Sequence, residues 1–450
     1  MKNILFLVAL YASFITYGQT QSYNDLGVLF STENIDGTAR YNAMSGAFGS
    51  LGGDISAIES NPAGAAVFLK SEVSFSLDFN GVDTKATYYG ESTFTDNDNV
   101  KFSQAGGVFV FNTNYAANNN GWKKLAFAFN YTTANNYENF WVALGNSNYP
   151  SQIYDPINDK PKYIFSEGQY FENYTDGRNN KYTFTFASNY QDKIYVGASL
   201  ISYDVDFYQN IFLEEYNDDG KGDLMDASLI QDLYTYGNGF SFNLGIIGKP
   251  SKNIRLGLAY QSPIWYNLGE TFYDYGWEYY VYDLDEYFQE PDYPQETNYY
   301  YNLRTPSKYT GSFSYIFNKF GLISLDYIYK NFSNIKLSDG YWTNENQAFK
   351  NELNGVSEVR VGTEWRIKKA SIRGGYHFEQ TPYKDAISSD NKDGFSLGLG
   401  YNFGFIKFDV SYQQDRYTAP YAIYPQYPEV SATELDYKFS KVTATLVFNI

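Results

Sequence analysis

The last ten residues, 441–450, read Lys-Val-Thr-Ala-Thr-Leu-Val-Phe-Asn-Ile. Apolar and polar side chains alternate along them, so that Val442, Leu446 and Ile450 share one face while Lys441 and Thr443 share the other. A repeat of two residues is typical of a β-strand whose two faces meet different surroundings. This stretch therefore predicts a strand with one apolar face and one polar face.

The same alternation recurs from residue 71 onward and predicts about fourteen strands, an even number, as single-chain bacterial barrels have. The predicted strands cover residues 71–82, 102–112, 124–136, 182–191, 194–207, 239–248, 253–263, 308–318, 321–330, 355–366, 369–379, 394–403, 405–413 and 439–450. Short turns such as 191–193 alternate with long polar segments such as 208–238 and 264–307. We therefore predict an all-β fold, in which residues 71–450 form a transmembrane antiparallel β-barrel with periplasmic turns, outer loops and both chain ends on the turn side.

The composition favours a membrane barrel over a soluble protein. The chain contains 48 Tyr, 36 Phe and 6 Trp in 450 residues, yet its mean hydropathy is -0.45. Aromatic girdles at the two membrane interfaces require such residues, and a polar lumen accounts for the low hydropathy. A soluble β-sandwich is the alternative fold, but it would not confine its long loops to every second connection.

Charge and residue types argue against several classes of function. The formal net charge of -18 is unsuited to nucleic acid, whose phosphates require a basic surface. The sequence has no cysteine and one histidine, His377, which leaves little material for metal binding or acid–base catalysis. Residues 217–223 resemble a calcium loop, but Lys221 stands where an oxygen ligand is required. We therefore expect no enzymatic activity, no cofactor and no bound metal.

The N-terminus has the layout of a secretory signal peptide. Lys2 gives a basic start, residues 4–15 are mainly apolar, and Gly18 precedes a polar residue. The apolar run is shorter than the ~20 residues of a membrane-spanning helix, so we expect residues 1–18 to be removed. A retained N-terminal anchor is the alternative. Together with the barrel, a signal peptide predicts a multi-pass protein of the outer membrane of a Gram-negative bacterium.

Residues 19–70 do not alternate and are rich in small side chains. Residues 46–54 read Gly-Ala-Phe-Gly-Ser-Leu-Gly-Gly-Asp, and Asn61, Pro62 and Ala63 follow shortly afterwards. Small residues allow close backbone approach, so this segment should be compact and could fold into the lumen as a plug. The Gly-rich run, then Asp-Ile-Ser-Ala and then Asn-Pro-Ala before the first strand resemble the N-terminal hatch of the FadL/TodX family of outer-membrane channels for hydrophobic compounds.

The resemblance implies a monomeric, passive channel for long-chain fatty acids or aromatic hydrocarbons, surrounded by outer-membrane lipid and lipopolysaccharide. Ligand would leave sideways, through a gap beside an inward kink in the third strand, residues 124–136. Small side chains of this strand would face inward and leave room, namely Ala126, Ala128, Asn130, Thr132 and Ala134. No Gly or Pro marks a kink there. A non-transporting barrel that serves as a scaffold for secretion or surface attachment is the alternative function.

A short turn at residues 368–369 predicts a register that places charges in the lumen. It sets Glu364 opposite Arg373 and Arg360 opposite His377. Arg360 could hold a ligand carboxylate, or these residues could brace the wall and position the hatch. We favour bracing, because oppositely charged facing pairs commonly stabilise sheets. Some family members are labelled haemin receptors, for which His377 would be the candidate axial ligand; a hydrogen-bonded wall residue is the alternative.

The long segment 264–307 carries the candidates for a ligand landing site. Trp265, Trp277, Tyr279 and Tyr280 lie there among many carboxylates. Aromatic side chains with an apolar ring face and a polar, hydrated edge suit amphipathic ligands. A collar that contacts lipopolysaccharide, or loops that pack on each other, is an equally good interpretation.

Overall fold

The computed structural model describes residues 21–112, 121–291 and 293–450, and the predicted signal peptide lies outside them. The described chain forms a closed, antiparallel β-barrel of fourteen strand positions, which confirms the predicted fold class. Its first and last strands, Glu72–Tyr88 (β1) and Thr433–Asn449 (β19), pair along almost their whole length and close the barrel. None of the described helices is long and apolar enough to cross a membrane.

Nineteen strand segments make up the fourteen positions. Between β1 and β19 they are Glu91–Asn112 (β2), Trp122–Asn136 (β3), Asn139–Gly145 (β4), Phe165–Tyr190 (β5), Ile194–Asp218 (β6), Leu224–Gly248 (β7), Ile254–Gln261 (β8), Trp265–Val281 (β9), Glu286–Glu290 (β10), Gln295–Arg304 (β11), Lys308–Phe317 (β12), Gly321–Asn331 (β13), Lys336–Ser338 (β14), Gly355–Ile367 (β15), Ala370–Glu379 (β16), Lys392–Asn402 (β17) and Ile406–Tyr421 (β18). Four positions hold two segments each, namely β3 with β4, β8 with β9, β11 with β12, and β13 with β14, while β10 lies at the tip of β9. Each of the predicted strands corresponds to one of these positions.

The described helices are short. They are Tyr23–Ser31 (α1), Ala39–Asn42 (α2), Ala57–Ser60 (α3) and Thr343–Glu352 (α4), with 3-10 turns at Pro62–Val67, Phe332–Asn334 and Ser388–Asp390. Helix α1 begins where the Ser22 hydroxyl accepts the Asp25 backbone N–H, which satisfies one of the free donors of a helix start. Three of these helices belong to residues 21–70, which we call the hatch.

The polarity of the two barrel faces inverts partway along the longest strands. In the turn half of β6, Leu200 is 54% exposed on the outer face while Ser199 is buried on the inner face. In the loop half, Asp206 is exposed on the outer face and Phe207 is buried inside. An apolar outer face suits lipid and a polar one suits water, so this inversion marks the membrane boundary on the loop side.

Strands β5, β6 and β7 extend beyond their predicted loop ends. Strand β6 continues to Asp218 instead of ending at residue 207, and its partner β7 begins at Leu224 instead of residue 239. The prediction that 208–238 and 264–307 are long loops between strands was therefore wrong, since both are largely hairpins. The 25 residues of β6 span ~80 Å along the strand, whereas about 9–11 residues cross a membrane. The loop-end parts of β5, β6 and β7 consequently extend the barrel wall beyond the lipid.

The two described chain ends lie at different heights of the barrel. The Ile450 N–H donates to the Ser71 carbonyl at the turn end, over 2.9 Å. The Gln21 N–H donates to the side chain of Gln209, in the loop half of β6, also over 2.9 Å. Ile450 therefore lies at the turn end, whereas residue 21, the first described residue, lies in the loop half, from which the hatch runs toward the turn end.

Candidate functional site

An apolar chamber occupies the loop half of the lumen, and α1 fills it. Leu26 and Phe30 of this helix are buried, and the Phe30 ring centroid lies 6.0 Å from those of both Tyr137 and Phe207. Other buried members of the chamber are Ile201, Val205, Leu233, Ile264, Leu268, Leu303, Phe332, Leu337, Phe349 and Leu353. Such a lining suits a hydrophobic ligand, and the helix occupies the volume that the ligand would need.

Polar side chains hold α1 in the chamber. The Tyr23 hydroxyl donates to Glu270 at 2.6 Å, and the Tyr383 hydroxyl donates to Asp25 at 2.7 Å. Burial and the Asp25 carboxylate raise the pKa of Tyr383 well above its ordinary value. The Tyr383 hydroxyl therefore remains a hydrogen-bond donor near neutral pH and keeps its contact with the helix.

A carboxylate site lies just beyond the end of α1, where Glu33 is bound by the wall. Its Oε1 accepts hydrogen bonds from Lys181 Nζ at 3.0 Å and from the Tyr203 hydroxyl at 2.9 Å. Its Oε2 accepts from Lys308 Nζ at 2.8 Å. Lys181 also pairs with Glu59 at 3.0 Å, whereas Glu33 is the only carboxylate within ion-pair distance of Lys308 among the described residues. The wall thus presents two ammonium groups and a phenol to one carboxylate of the hatch.

The predicted hatch motif is wedged against β7 and β8. The Asn61 side-chain amide donates to the carbonyl groups of Gly49, Ile246 and Leu258 at 2.7, 3.2 and 3.3 Å. Its Oδ1 accepts the Ala63 N–H at 3.1 Å and so begins the 3-10 turn that follows. One side chain therefore ties two parts of the hatch to each other and to the carbonyl groups of two wall strands.

Glycines in the wall make room for this wedge. A Cβ atom at Gly245 would lie 1.9 Å from Asn61 Oδ1, and one at Gly197 would lie 2.5 Å from the Pro62 carbonyl carbon. Both distances are far below van der Waals contact, so only glycine fits at either position. The Asn-Pro-Ala motif and its two glycines are therefore complementary parts of one docking surface.

The other side of the hatch is bonded to the last strand. The Ala39 N–H donates to Thr445 Oγ1 at 2.7 Å, and the Asn42 side chain donates to Thr443 Oγ1 at 2.9 Å. These threonines lie on the polar inner face that the C-terminal alternation predicted. The hatch is thus held from opposite sides of the closed barrel.

The small side chains of the third strand face inward, as predicted, and the hatch covers them. Ala128 packs in a buried cluster with Ile58 and Ala63 of the hatch. The Asn130 side-chain amide donates to Glu59 Oε1 at 3.0 Å, and Thr132 is buried. The room that these small residues leave is therefore filled by the hatch.

The strand ladder is interrupted beside the third strand position. Backbone pairing between β2 and β3 ends at Gln104 with Thr132, beyond which β3 bulges and the strand breaks before β4. Among the described residues, β2 reaches β4 through side chains and not through a backbone ladder. Thr95 Oγ1 and Asn97 Nδ2 both donate to the Phe140 carbonyl, at 2.9 and 3.0 Å. The break forms without any Gly or Pro in the strand.

The predicted pairing of charges around the 368–369 turn is confirmed, and it includes an arginine that the sequence analysis missed. Glu364 accepts from Arg373 Nε at 2.7 Å and from Arg366 Nη2 at 2.6 Å. Arg40 of the hatch adds a third guanidinium at 2.7 Å, and Arg373 also donates to Asp409 at 2.6 Å. A cavity of about 340 Å³ lies beside this cluster, at the turn end between the hatch and the wall.

Arg360 and His377 face each other in the predicted register, but both have partners within the protein. The Arg360 guanidinium contacts the Glu358 carboxylate and lies 3.4 Å from the Tyr41 hydroxyl of the hatch. His377 Nε2 lies 3.2 Å from Asp415 Oδ1. This geometry favours the bracing interpretation of Arg360 over a ligand-binding role, and it makes His377 a wall residue beside a carboxylate.

We expect Arg360→Ala to destabilise the protein by about 3 kcal/mol, because Glu358 would remain buried without its nearest cation. Binding of carboxylate and neutral ligands should weaken equally. Thermal unfolding in detergent and binding of decanoate and decanol would check this. Arg366→Ala is the control, since Glu364 would keep two other arginines. Selective loss of decanoate binding would instead make Arg360 a carboxylate ligand.

The predicted landing-site residues do not converge on one surface. Trp265 is 44% exposed and stacks on Phe242, with centroids 6.4 Å apart, on the outer face of the barrel. Tyr279 is buried and donates to a side-chain oxygen, whereas Tyr280 bonds Asp285 at a hairpin tip, 2.6 Å away. Trp277 packs between two buried clusters. Trp265 was therefore wrongly assigned to a loop site, because it belongs to a strand face that points away from the lumen.

Residues 394–398 read Gly-Phe-Ser-Leu-Gly and match the nucleophile pattern of α/β-hydrolases, which the sequence analysis missed. In those enzymes the serine occupies a sharp turn between a strand and a helix. Here the pattern lies within β17, and Ser396 Oγ is 2.9 Å from Ser45 Oγ of the hatch. The serine therefore packs the hatch against the wall.

Among the described residues, no group of His, Asp and Glu is arranged to hold a metal ion.

Three solved structures illustrate what this chain is similar to. A Pseudomonas aeruginosa FadL homologue matches with a TM-score of 0.58 and 14% identity, over 93% of this chain and 99% of that chain. The P. putida toluene transporter TodX matches with a TM-score of 0.55 and 13% identity, over 92% and 99%. The Ralstonia pickettii toluene transporter TbuX matches with a TM-score of 0.52 and 15% identity, over 94% and 100%. Neither a protein-family model nor a curated protein matches the sequence. The chain has the fold that its resemblance to the FadL/TodX family implied.

Proposed function

We propose that this protein is an outer-membrane channel for the passive uptake of small hydrophobic compounds, and that it performs no chemistry. The apolar chamber that α1 of the hatch fills is the observation that carries this proposal, since a non-transporting wall has no need of a buried apolar volume closed by a segment of the chain itself. The likeness over whole chains to a FadL homologue and to toluene transporters supports it.

The ligand would enter from the loop end and displace α1 from the chamber. It would then leave sideways at the interrupted ladder between β2 and the break of the third strand, where side chains alone bridge the wall. Separating such bridges costs less than opening a continuous backbone ladder, whose paired groups would be left without partners in lipid. The hatch below would keep the turn end of the lumen closed to water and solutes.

The Glu33 site favours ligands that carry a carboxylate at one end. Lys181, Lys308 and Tyr203 would bind the ligand carboxylate in place of Glu33, while an alkyl chain replaced the apolar side chains of α1. Long-chain fatty acids have this combination of groups. Aromatic hydrocarbons would use the chamber alone.

The lateral route can be tested with paired cysteines, because the chain contains none of its own. We expect Thr95→Cys with Phe140→Cys, joined by a short bis-maleimide, to reduce fatty-acid uptake by cells about tenfold, while native mass spectrometry still detects bound ligand. Arg416→Cys with Lys438→Cys is the matched control, since these residues already face each other across a closed ladder.

The outcomes separate the two functions considered. Retained uptake after cross-linking at the third strand would overturn the lateral route. An empty barrel that binds no fatty acid or hydrocarbon, and that co-purifies with a stoichiometric protein partner, would favour the scaffold function.

A further inference from the structure

The turn end of the barrel is basic, although the formal net charge of the chain is -18. The described segments at this end that carry charged side chains are residues 69–73, 121–124, 190–195, 248–255, 317–321, 366–370 and 402–407. Their cationic residues are Lys70, Lys123, Lys124, Lys193, Lys249, Lys252, Arg255, Lys319, Arg366, Lys368, Lys369 and Lys407. Their only acidic residues, Glu72 and Asp192, pair with Lys407 at 2.6 Å and Lys123 at 2.5 Å. Charge is therefore segregated along the barrel axis.

Several of these cations have no carboxylate to neutralise them. The exposed lysines without an ion-pair partner among the described residues, which we call the lysine ring, are Lys70, Lys193, Lys252, Lys319, Lys368 and Lys369. They lie at the start of β1 and in four different turns, so they are spread around the barrel and not gathered into one patch. A distribution of this kind suits many small anions around the circumference better than one compact partner.

Aromatic side chains place the lysine ring at the height of lipid headgroups. Exposed rings of the turn end include Trp122, Phe317, Phe320, Trp365, Tyr401, Phe403 and Phe405. Phe317 stacks on Trp365 with centroids 5.4 Å apart. Lys319 follows Phe317 by two positions, and Lys368 follows Trp365 by three. Aromatic belts lie at the interface between hydrocarbon and headgroups, so the ammonium groups just beyond them reach the level of the phosphates.

We infer that the lysine ring binds anionic phospholipid headgroups of the leaflet around the turn end. Each lysine offers a compact charge on a flexible stem, which suits phosphates that move in the plane of a fluid leaflet. This contact requires only a membrane-spanning barrel, and it does not depend on the proposed transport.

The test compares lipid binding by the full-length protein and by two variants in mild detergent. In the turn variant, the six residues of the lysine ring are changed to Gln. In the loop variant, which is the matched control, Lys85, Lys160, Lys221, Lys336, Lys350 and Lys384 are changed to Gln. Native mass spectrometry would count bound phosphatidylglycerol and phosphatidylcholine at equal concentrations.

We expect the wild-type protein and the loop variant to prefer phosphatidylglycerol about tenfold, and the turn variant to lose this preference. Raising the salt concentration to about 1 M should abolish the preference of the wild-type protein, because exposed charges are screened. This second measurement needs no variant and remains informative if the turn variant folds poorly. Equal binding of both lipids by the wild-type protein, or an undiminished preference in the turn variant, would overturn the inference.

Discussion

Gly245→Val is expected to expel the Asn61 wedge from the wall and leave the hatch undocked inside a closed barrel. The new Cβ would lie 1.9 Å from Asn61 Oδ1 and 2.8 Å from Pro62 Cδ, and both residues are buried. Overpacking of this kind costs about 1–3 kcal/mol. Displacing Asn61 also removes its hydrogen bonds to wall carbonyl groups, each worth about 1 kcal/mol. Gly245 contributes to the barrel ladder through its backbone alone, and the new side chain would meet Asn61 and Pro62 of the hatch. The loss of stability should therefore fall on the hatch.

Gly248→Val is the matched control for this variant, because a Cβ at Gly248, three residues along the same strand, would meet nothing within 4 Å. The backbone amide of Arg40 should exchange its hydrogen at least about tenfold faster in Gly245→Val than in the control, because the free energy needed to open the hatch is several kcal/mol lower in the variant. Planar-bilayer recordings should show a larger ionic conductance for the same variant. Equal protection of Arg40 in both variants would mean that the wedge does not hold the hatch.

Glu33→Gln is expected to tighten the binding of decanoate about tenfold without changing the binding of decanol. Glu33 now occupies the donors that a ligand carboxylate would use, and its removal leaves Lys308 without an ion-pair partner among the described residues. Hydrogen bonds to charged groups contribute about 1.5–3 kcal/mol, which corresponds to tenfold or more in affinity. The ligand-free variant should also melt at a lower temperature, because the half-buried Lys308 is left without an ion-pair partner among the described residues.

Glu379→Gln provides the comparison for Glu33→Gln. Glu379 accepts from Lys330 at 2.8 Å in a similar buried ion pair, but it belongs to β16 and not to the hatch. Calorimetric titration with decanoate and decanol would separate the effects. If decanol binding tightens as much as decanoate binding, the mutation merely loosens α1. If neither changes, the Glu33 site serves only to anchor the hatch.

The membrane-embedded part of the fold could be predicted from the sequence because lipid imposes a strict alternation. The register at the 368–369 turn, including Arg360 opposite His377, followed from that alternation and a turn length. Beyond the membrane boundary the outer face is polar and the inner face apolar, as Asp206 and Phe207 show. A pattern whose phase reverses within one strand resembles an irregular loop, and for this reason the tall hairpins were missed.

The contacts that define the candidate site could not be predicted in the same way. Glu33 and Lys308 lie 275 positions apart in the sequence, and no periodicity links a hatch residue to a particular wall residue. Arg40 was visible as a charge within a small-residue segment, but its partner Glu364 had already been assigned to Arg373. Trp265 was assigned from composition alone, without knowing which face of a strand it occupied. Which wall residue contacts which hatch residue depends on the path of the hatch through the lumen, and this path is known only from the folded structure.

The bonds between the hatch and the last strand constrain the order in which the molecule can be assembled. Ala39 donates to Thr445 across 406 positions of sequence, so this part of the hatch has no binding surface until the final strand is in place. Phe30 and Phe48, which are buried in the finished protein, likewise lack cover until the parts of the wall and of the hatch that pack on them have formed. Before it is docked, the segment therefore exposes apolar side chains and is prone to aggregation. When β1 and β19 pair and close the barrel, the hatch is enclosed in the lumen. A backbone cut near residue 70 made after closure would therefore leave the hatch fragment inside the barrel.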